Sequence, residues 1–272
     1  MEKNLSALGF MSGTSGDGVD TSVISSNGKD IINIKYNRFD PYPTSLSNKI
    51  HRVKESISEI QDLLKYSSEI DKLELEITDF HIDIAIKATK EVDYDLIGFH
   101  GHTIYHNTEE KISKQIGLGA NLSKLTNKDV VYDFRQNDIK NGGEGAPLSP
   151  IYHLALIKSL FNENKVKIPI SILNIGGIAN ITEIDKDFKI TSRDIGPGNC
   201  LIDKWIRKNS DKFFDENGTL ADKGKTDKFI FDQFLDNYYY SKVNSKRSLD
   251  TNDFDISFAK GLSLENGTTT IT

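Results

Sequence analysis

The sequence predicts an α/β protein made of two related domains that face one another, residues 1–140 and 141–272. Two observations carry this. Each half contains three short apolar segments in succession, separated by tight turns, and in each half the first of these turns is rich in glycine. After the first set, the apolar period changes from about 2 to about 3.6 residues, the change from strands to helices.

Leu5 to Met11 is an apolar run that ends at Ser12-Gly13-Thr14-Ser15-Gly16-Asp17-Gly18. Val19 to Ile24 follows at once, and Asp30 to Tyr36 carries Ile31, Ile32 and Ile34 as its apolar members. Three strands with tight turns make a β-meander. From Ser45 to about Lys90 the pattern is helical, with Leu46, Ile50, Val53 and Ile57 on one helix and Leu73, Ile77, Phe80, Ile84 and Ala88 on a second. Asp95–Phe99 and Asp129–Asp133 read as buried strands, with a hairpin and a helix between them.

The second half starts after the loop Lys140–Gly145. A helix at His153–Phe161 precedes strands at Ile168–Ile175, Ala179–Ile184 and Phe188–Thr191, and helices follow at Asn199–Lys208 and near Lys225–Tyr240. No repeat of fixed period is present, which excludes a solenoid. In the first half the first strand begins at Leu5 and the fourth at Asp95. The same spacing from Ile168 places a fourth strand near Phe258 or later, and the sequence ends at Thr272, so the second domain is expected to be incomplete.

The 272 residues include 34 Lys and Arg against 40 Asp and Glu, a net charge of −6, and no basic block occurs. That argues against a nucleic-acid-binding module. No apolar run reaches the ~18–20 residues that span a bilayer. The start, Met1-Glu2-Lys3-Asn4-Leu5, does not read as a secretion signal, so a cytoplasmic, non-membrane protein is expected. The single cysteine, Cys200, excludes an intrachain disulfide and a cysteine-based zinc site.

Met11-Ser-Gly-Thr-Ser-Gly-Asp-Gly-Val-Asp20 is the first candidate site. Glycines let main-chain N–H groups approach an anion, and hydroxyls add donors. Asp17 and Asp20 are suited to a hydrated Mg²⁺, which takes one or two carboxylates together with waters and phosphates. The plain alternative is a hairpin turn with polar decoration. Asn174-Ile-Gly176-Gly177-Ile-Ala-Asn180 is the matching turn in the second half, and the two are expected to grip a polyphosphate from opposite sides. Asp194, in Arg193-Asp-Ile-Gly-Pro-Gly-Asn199, reads as a strand-end carboxylate beside a helix N-terminus, where a general base meets an anion site. Asn199 is the better candidate for the helix cap, which leaves Asp194 available. Arg135 follows a buried strand, where its planar fork can bind a carboxylate or phosphate or pair with Asp133 or Asp138.

Several imitations are set aside. Gly218 to Thr226 resembles a phosphate-binding P-loop but has five residues between its glycines where four are needed, and no apolar strand precedes it. His100, His102 and His106 lie close together without the carboxylates or thiols that complete a zinc set. Neither the dinucleotide glycine motif nor the hydrolase serine elbow occurs.

Taken in order, these segments resemble the anhydro-N-acetylmuramic acid kinases. The resemblance rests on Met11–Asp20, Gly98-Phe-His-Gly-His-Thr103, Asp133-Phe-Arg135, Gly142-Gly-Glu-Gly-Ala-Pro-Leu148, Asn174–Asn180 and Asp194-Ile-Gly-Pro-Gly-Asn199. Phe214–Gly218, with Ala221 and Gly224, and Lys246–Asp250 add to it, so it covers nearly the whole chain. It implies two ribonuclease-H-like domains of the actin/hexokinase type facing a cleft, with the second truncated here because family members run longer. It implies a homodimer, and a reaction that uses ATP and Mg²⁺ to open and phosphorylate an anhydro amino sugar. It also implies ATP contacts at Gly13, Thr14, Ser15, Gly16, Asp17, Gly18, Val19, Asp20, Gly176 and Gly177, sugar contacts at His100, Arg135 and Glu144, and Asp194 as the catalytic base. Gly16, His102, Glu144 and Ile195 depart from the usual residues, which are Leu, Gln, Gln and Thr. The alternatives are an inactive truncated remnant, or another phosphotransferase or ATPase of the same superfold.

Overall fold

The computed structural model describes residues 4–13, 15–107, 109–240 and 249–272. Three strands run antiparallel at the start: β1 (Leu5–Met11), β2 (Gly18–Ser26) and β3 (Ile32–Pro41), with Met11 opposite Asp20 and Gly18 opposite Pro41. The third strand starts later and ends later than the apolar alternation predicts. It starts later because the Asn27 carboxamide oxygen accepts the N–H groups of Lys29, Asp30 and Ile31 and holds them in the turn. It ends later because β2 still offers a partner beyond Tyr36, and the exposed, polar Asn37 and Arg38 carry no apolar signal.

The helical stretch contains α1 (Thr44–Ser56), α2 (Ile60–Lys65) and α3 (Ser67–Ala88). The short α2 was not expected. Asp62 separates it by accepting the N–H groups of Ser58 and Glu59. The long α3 buries Ile70, Leu73, Ile77, His81, Ile84, Ala85 and Ala88, a single stripe at helical spacing. The fourth strand, β4 (Leu96–Phe99), returns parallel to β1, with Leu8 opposite Ile97. A separate hairpin of β5 (His102–Asn107) and β6 (Ile112–Ile116) leads into α4 (Gly119–Thr126). Then β7 (Asp129–Tyr132) pairs parallel with β4, giving a five-stranded mixed sheet in the order β3-β2-β1-β4-β7. Its core gathers Leu8, Val19, Val23, Ile50, Leu73, Ile77, Ile97 and Phe99, all at most 2% exposed. Each such side chain contributes about 1.5–3 kcal/mol on burial. Two further helices follow, α5 (Phe134–Lys140) and α6 (Pro150–Asn162).

A second meander, β8 (Ile170–Ile175), β9 (Ile178–Ile184) and β10 (Ile190–Pro197), has the order β10-β9-β8, matching the order of the first three strands. Here β10 continues through Asp194 to Pro197, beyond the strand Phe188–Thr191 that the sequence predicts. Two later segments hold it extended. Leu249 N–H donates to the Asp194 carboxylate, and the Tyr238 hydroxyl donates to the Ile195 carbonyl. Then come α7 (Cys200–Asn209), short 3-10 turns at Glu216–Gly218 and Ala221–Lys223, α8 (Lys228–Tyr240) and α9 (Leu264–Ile271).

The chain divides into two units, residues 1–171 with 183–191, and residues 172–182 with 192–272. The core of the second is built from Leu201, Trp205, Leu249, Phe254, Ile256 and Ala259, with Phe234 and Tyr238 packed against them. Trp205 lies over Gly267 of α9, where any side chain would collide with the indole, and its Nε1–H donates to the Leu264 carbonyl at 3.0 Å. No described helix is long and apolar enough to cross a membrane.

Candidate functional site

In the first unit the glycine-rich turn joins β1 to β2. Gly16 N–H donates to Gly13 O at 3.1 Å. The Gly16 carbonyl accepts the Ser47 hydroxyl of α1 at 2.7 Å, and the Asp17 carbonyl accepts Tyr42 N–H at 2.9 Å. In a planar trans peptide the C=O and N–H point in opposite directions. Fastening these two carbonyls to the protein therefore turns the N–H groups of Asp17 and Gly18 the other way, as an anion-binding nest requires. Only glycine fits position 18, because a Cβ there would lie 2.5 Å from the Asp40 carbonyl and against the Phe39 ring. Ser15 Oγ donates to Asp17 Oδ1 at 2.6 Å. Burial, with the neighbouring Asp17 carboxylate, raises the Asp20 carboxyl above its ordinary value. A bound cation would relieve that repulsion, so the two carboxylates fit Mg²⁺. Val19 is fully buried, main chain and side chain alike, and packs in the core beneath the turn. Thr14 lies outside the described residues.

The sugar-contact candidates also lie in this unit, and α5 organises them. Arg135 Nε donates to His100 Nε2 at 3.0 Å, which places the His100 proton on Nδ1, toward the Gly101 carbonyl. Burial and the adjacent guanidinium push His100 down to about 4, so it stays neutral. One turn along α5, Asp138 receives Gly143 N–H on its carbonyl at 2.9 Å and Gly145 N–H on its carboxylate at 2.8 Å. Both neighbours of Glu144 are thereby anchored to the helix that carries Arg135. Asp138 was considered only as a salt-bridge partner for Arg135, and its loop-anchoring role was missed, although an Asp seven residues before a glycine in a Gly-rich loop is a local signal.

In the second unit Gly176 and Gly177 make the turn from β8 to β9. Gly176 O accepts Asn199 N–H at 2.8 Å, and Gly177 O accepts Gly198 N–H at 3.0 Å and Cys200 N–H at 3.2 Å. The start of α7 thus clasps both carbonyls, and the N–H of Gly177 points away from it. A Cβ on Gly198 would run into the Gly176 carbonyl. Asn199 occupies the cap position, but against expectation its side chain makes no cap hydrogen bond; its main-chain N–H holds Gly176 instead. Asp194 is 9% exposed, and Leu249 N–H reaches its Oδ2 at 2.8 Å. That donor comes from 55 residues away, beyond the reach of pattern reading. Asn180 Oδ1 and Ser192 Oγ, also in this unit, are buried without a hydrogen-bond partner, a polar environment the sequence did not single out.

No group of three or more His, Cys, Asp or Glu suited to a metal ion occurs among the described residues. Mg²⁺ does not need one, since it is held by one or two carboxylates and the phosphates themselves.

A sequence model of the family described as anhydro-N-acetylmuramic acid kinase matches residues 5–263. A protein of that name from Pelagibacter ubique (strain HTCC1062) is 47% identical, covering 100% of this chain and 72% of its own length. Proteins of the same name from Rhizobium johnstonii and Agrobacterium fabrum are 36% and 35% identical, each covering 97% of this chain and 72% of their own length.

Proposed function

The chain belongs to the anhydro-N-acetylmuramic acid kinase family, and on that premise we propose that it uses ATP and water to convert anhydro-N-acetylmuramic acid to N-acetylmuramic acid 6-phosphate, a step of cell-wall recycling. The observation that carries the reading is the first turn. The Gly16 and Asp17 carbonyls are fastened back by Ser47 and Tyr42, which turns the N–H groups of Asp17 and Gly18 the other way, and Asp17 and Asp20 are close enough to interact electrostatically. The relatives' shared name favours this over a remnant or a different phosphotransferase.

In this reading Asp194 takes one proton from a water molecule as the water oxygen bonds to the anomeric carbon. The bond from that carbon to the bridging 6-oxygen breaks, which releases the strain of the bicyclic sugar. The freed 6-oxygen bonds to the γ-phosphorus in line, and ADP leaves. The proton on Asp194 then passes to solvent. Positioning and charge neutralisation supply most of the rate in such transfers. Gly13, Thr14, Ser15, Gly16, Gly18, Gly176 and Gly177 hold the nucleotide, with Val19 supporting the turn from the core. Asp17 and Asp20 hold Mg²⁺, which when bound neutralises phosphate charge. Arg135, oriented by His100, receives the carboxylate of the sugar acid, and Glu144 accepts its hydroxyl or amide hydrogens. The same reading includes a ribonuclease-H-like architecture for 1–140, supported by the five-stranded mixed sheet, and for 141–272, supported by the three-stranded meander alone, together with a homodimer and a place in the cytoplasm. Light scattering on the purified protein tests the dimer.

The deciding assay is phosphoryl transfer from ATP to the anhydro sugar, with Asp194→Asn beside the unaltered protein. Loss of a general base costs about 10²–10⁴-fold in turnover, while ATP affinity is expected to persist. Full turnover in the variant removes Asp194 from the mechanism. Transfer to some other sugar, with none to this one, overturns the substrate.

A further inference from the structure

Ser12 follows β1 and immediately precedes Gly13. Its hydroxyl is the meeting point of two other elements. Tyr42 Oη, from the link between β3 and α1, lies 2.8 Å from Ser12 Oγ, and His102 Nδ1, from the first residue of β5, lies 2.8 Å away on the same oxygen. Ser12, Tyr42 and His102 are 5%, 6% and 0% exposed. Tyr42 also donates its main-chain N–H to the Asp17 carbonyl, so this one residue grips the turn at both ends, through its hydroxyl at Ser12 and its backbone at Asp17.

The environment keeps both outer members of the chain neutral. Burial pushes Tyr42 up to about 12, so the phenol keeps its proton. Burial, reinforced by Lys54 and neighbouring histidines, pushes His102 down to about 3, so the ring stays neutral. If Ser12 donates to Nδ1, the ring proton sits on Nε2, which is buried without a hydrogen-bond partner. With the chain reversed, the Tyr42 hydrogen is the one without an acceptor, so Ser12 Oγ is held from both sides in either direction.

We infer that the Tyr42–Ser12–His102 chain is a positioning device for the glycine-rich turn, fixing where Ser12 hands the main chain to Gly13 and hence the aim of the N–H groups that follow. It rests on the reading of that turn as the nucleotide-phosphate site. None of the three side chains is assigned to touch the substrate; they act through the backbone they hold.

The test uses Tyr42→Phe, which removes one hydroxyl and leaves the backbone grip, His102→Leu, which removes the acceptor, and His102→Asn, whose amide occupies the place of Nδ1. Each is measured for ATP affinity, for KM of both substrates, for kcat and for amide hydrogen exchange at Gly13, Gly16, Asp17 and Gly18 without ligand. Losing one buried hydrogen bond corresponds to about 5–10-fold. Tyr42→Phe and His102→Leu are therefore expected to weaken ATP binding by about that factor, with the sugar KM unchanged and exchange in the turn faster. His102→Asn is expected to restore most of both. Unchanged exchange and ATP affinity in Tyr42→Phe, or an Asn variant as impaired as the Leu variant, overturns the device. If His102→Leu does not fold, Tyr42→Phe decides. If the unaltered protein binds no ATP, faster exchange reversed by Asn keeps the device and removes the nucleotide reading instead.

Discussion

The two glycine-rich turns reach the same end by different means. The turn between β1 and β2 is held largely by side chains, those of Ser47, Tyr42 and His102, with one main-chain bond from Tyr42 N–H to the Asp17 carbonyl. The turn between β8 and β9 is held by main chain alone, clasped by the N–H groups of residues 198–200. In both, the carbonyls are bound inward and amide hydrogens are directed away. The difference lies in what mutation can reach. A side-chain clamp can be weakened one atom at a time, whereas a backbone clamp yields only to a change that moves the chain or removes an N–H.

The largest expected effect follows from that contrast. Gly198→Ala places a methyl group against the Gly176 carbonyl, so the clasp must open. Overpacking of this kind costs about 1–3 kcal/mol, and ATP affinity is expected to fall by more than tenfold. Chemical denaturation and nucleotide titration check both. Normal values would show that the second turn tolerates displacement and that the comparison fails.

Next in size is a pH effect confined to the first unit. Burial lowers His81 and His100 to about 4 and His102 to about 3, against an ordinary 6.5. Unfolding frees all three to titrate normally. Between pH 6.5 and about 4 the unfolded chain therefore binds more protons, and stability falls as pH falls. The stabilising contribution is complete above about pH 6.5 and is lost as pH drops through the folded values. Denaturant midpoints from pH 7.5 to 4.5 measure it, and His81→Phe is expected to make the decline shallower. A flat profile above pH 5 would contradict the burial of these rings.

The smallest effects sharpen the contrast most. Ser47→Ala deletes the hydroxyl that holds Gly16 and is expected to cost about 1 kcal/mol and a few-fold in ATP affinity. Asn199→Ala keeps the main-chain N–H that holds Gly176 and is expected to change affinity by less than about twofold, since the side chain makes no cap. Equal losses in the two variants would erase the distinction between the turns.

The same distinction explains what could be read from the sequence. The alternation in β1 and β2 and the stripe of α3 are local patterns set by burial, and they placed the first meander and its covering helix correctly. The glycine turns were visible because close approach leaves glycine as the only residue that fits, as at Gly18 and Gly198. The far end of β10 was hidden. The apolar pattern stops at Thr191, and the contacts that keep Asp194 and Ile195 extended come from Leu249 and Tyr238, far along the chain. The hydroxyl chain at Ser12 was hidden for the same reason, its partners lying 30 and 90 residues away.

The packing of Trp205 over Gly267 has a practical consequence. It is the only tryptophan, set against 10 tyrosines and 14 phenylalanines, and it is 4% exposed in the core of the second unit. Indole fluorescence therefore reads one known location. Its emission shifts to longer wavelength when water reaches α7 and α9, whatever happens to the five-stranded sheet. Followed beside far-ultraviolet dichroism, which averages over every helix and strand, this single fluorophore reports whether the two units melt together or in sequence, with no label attached.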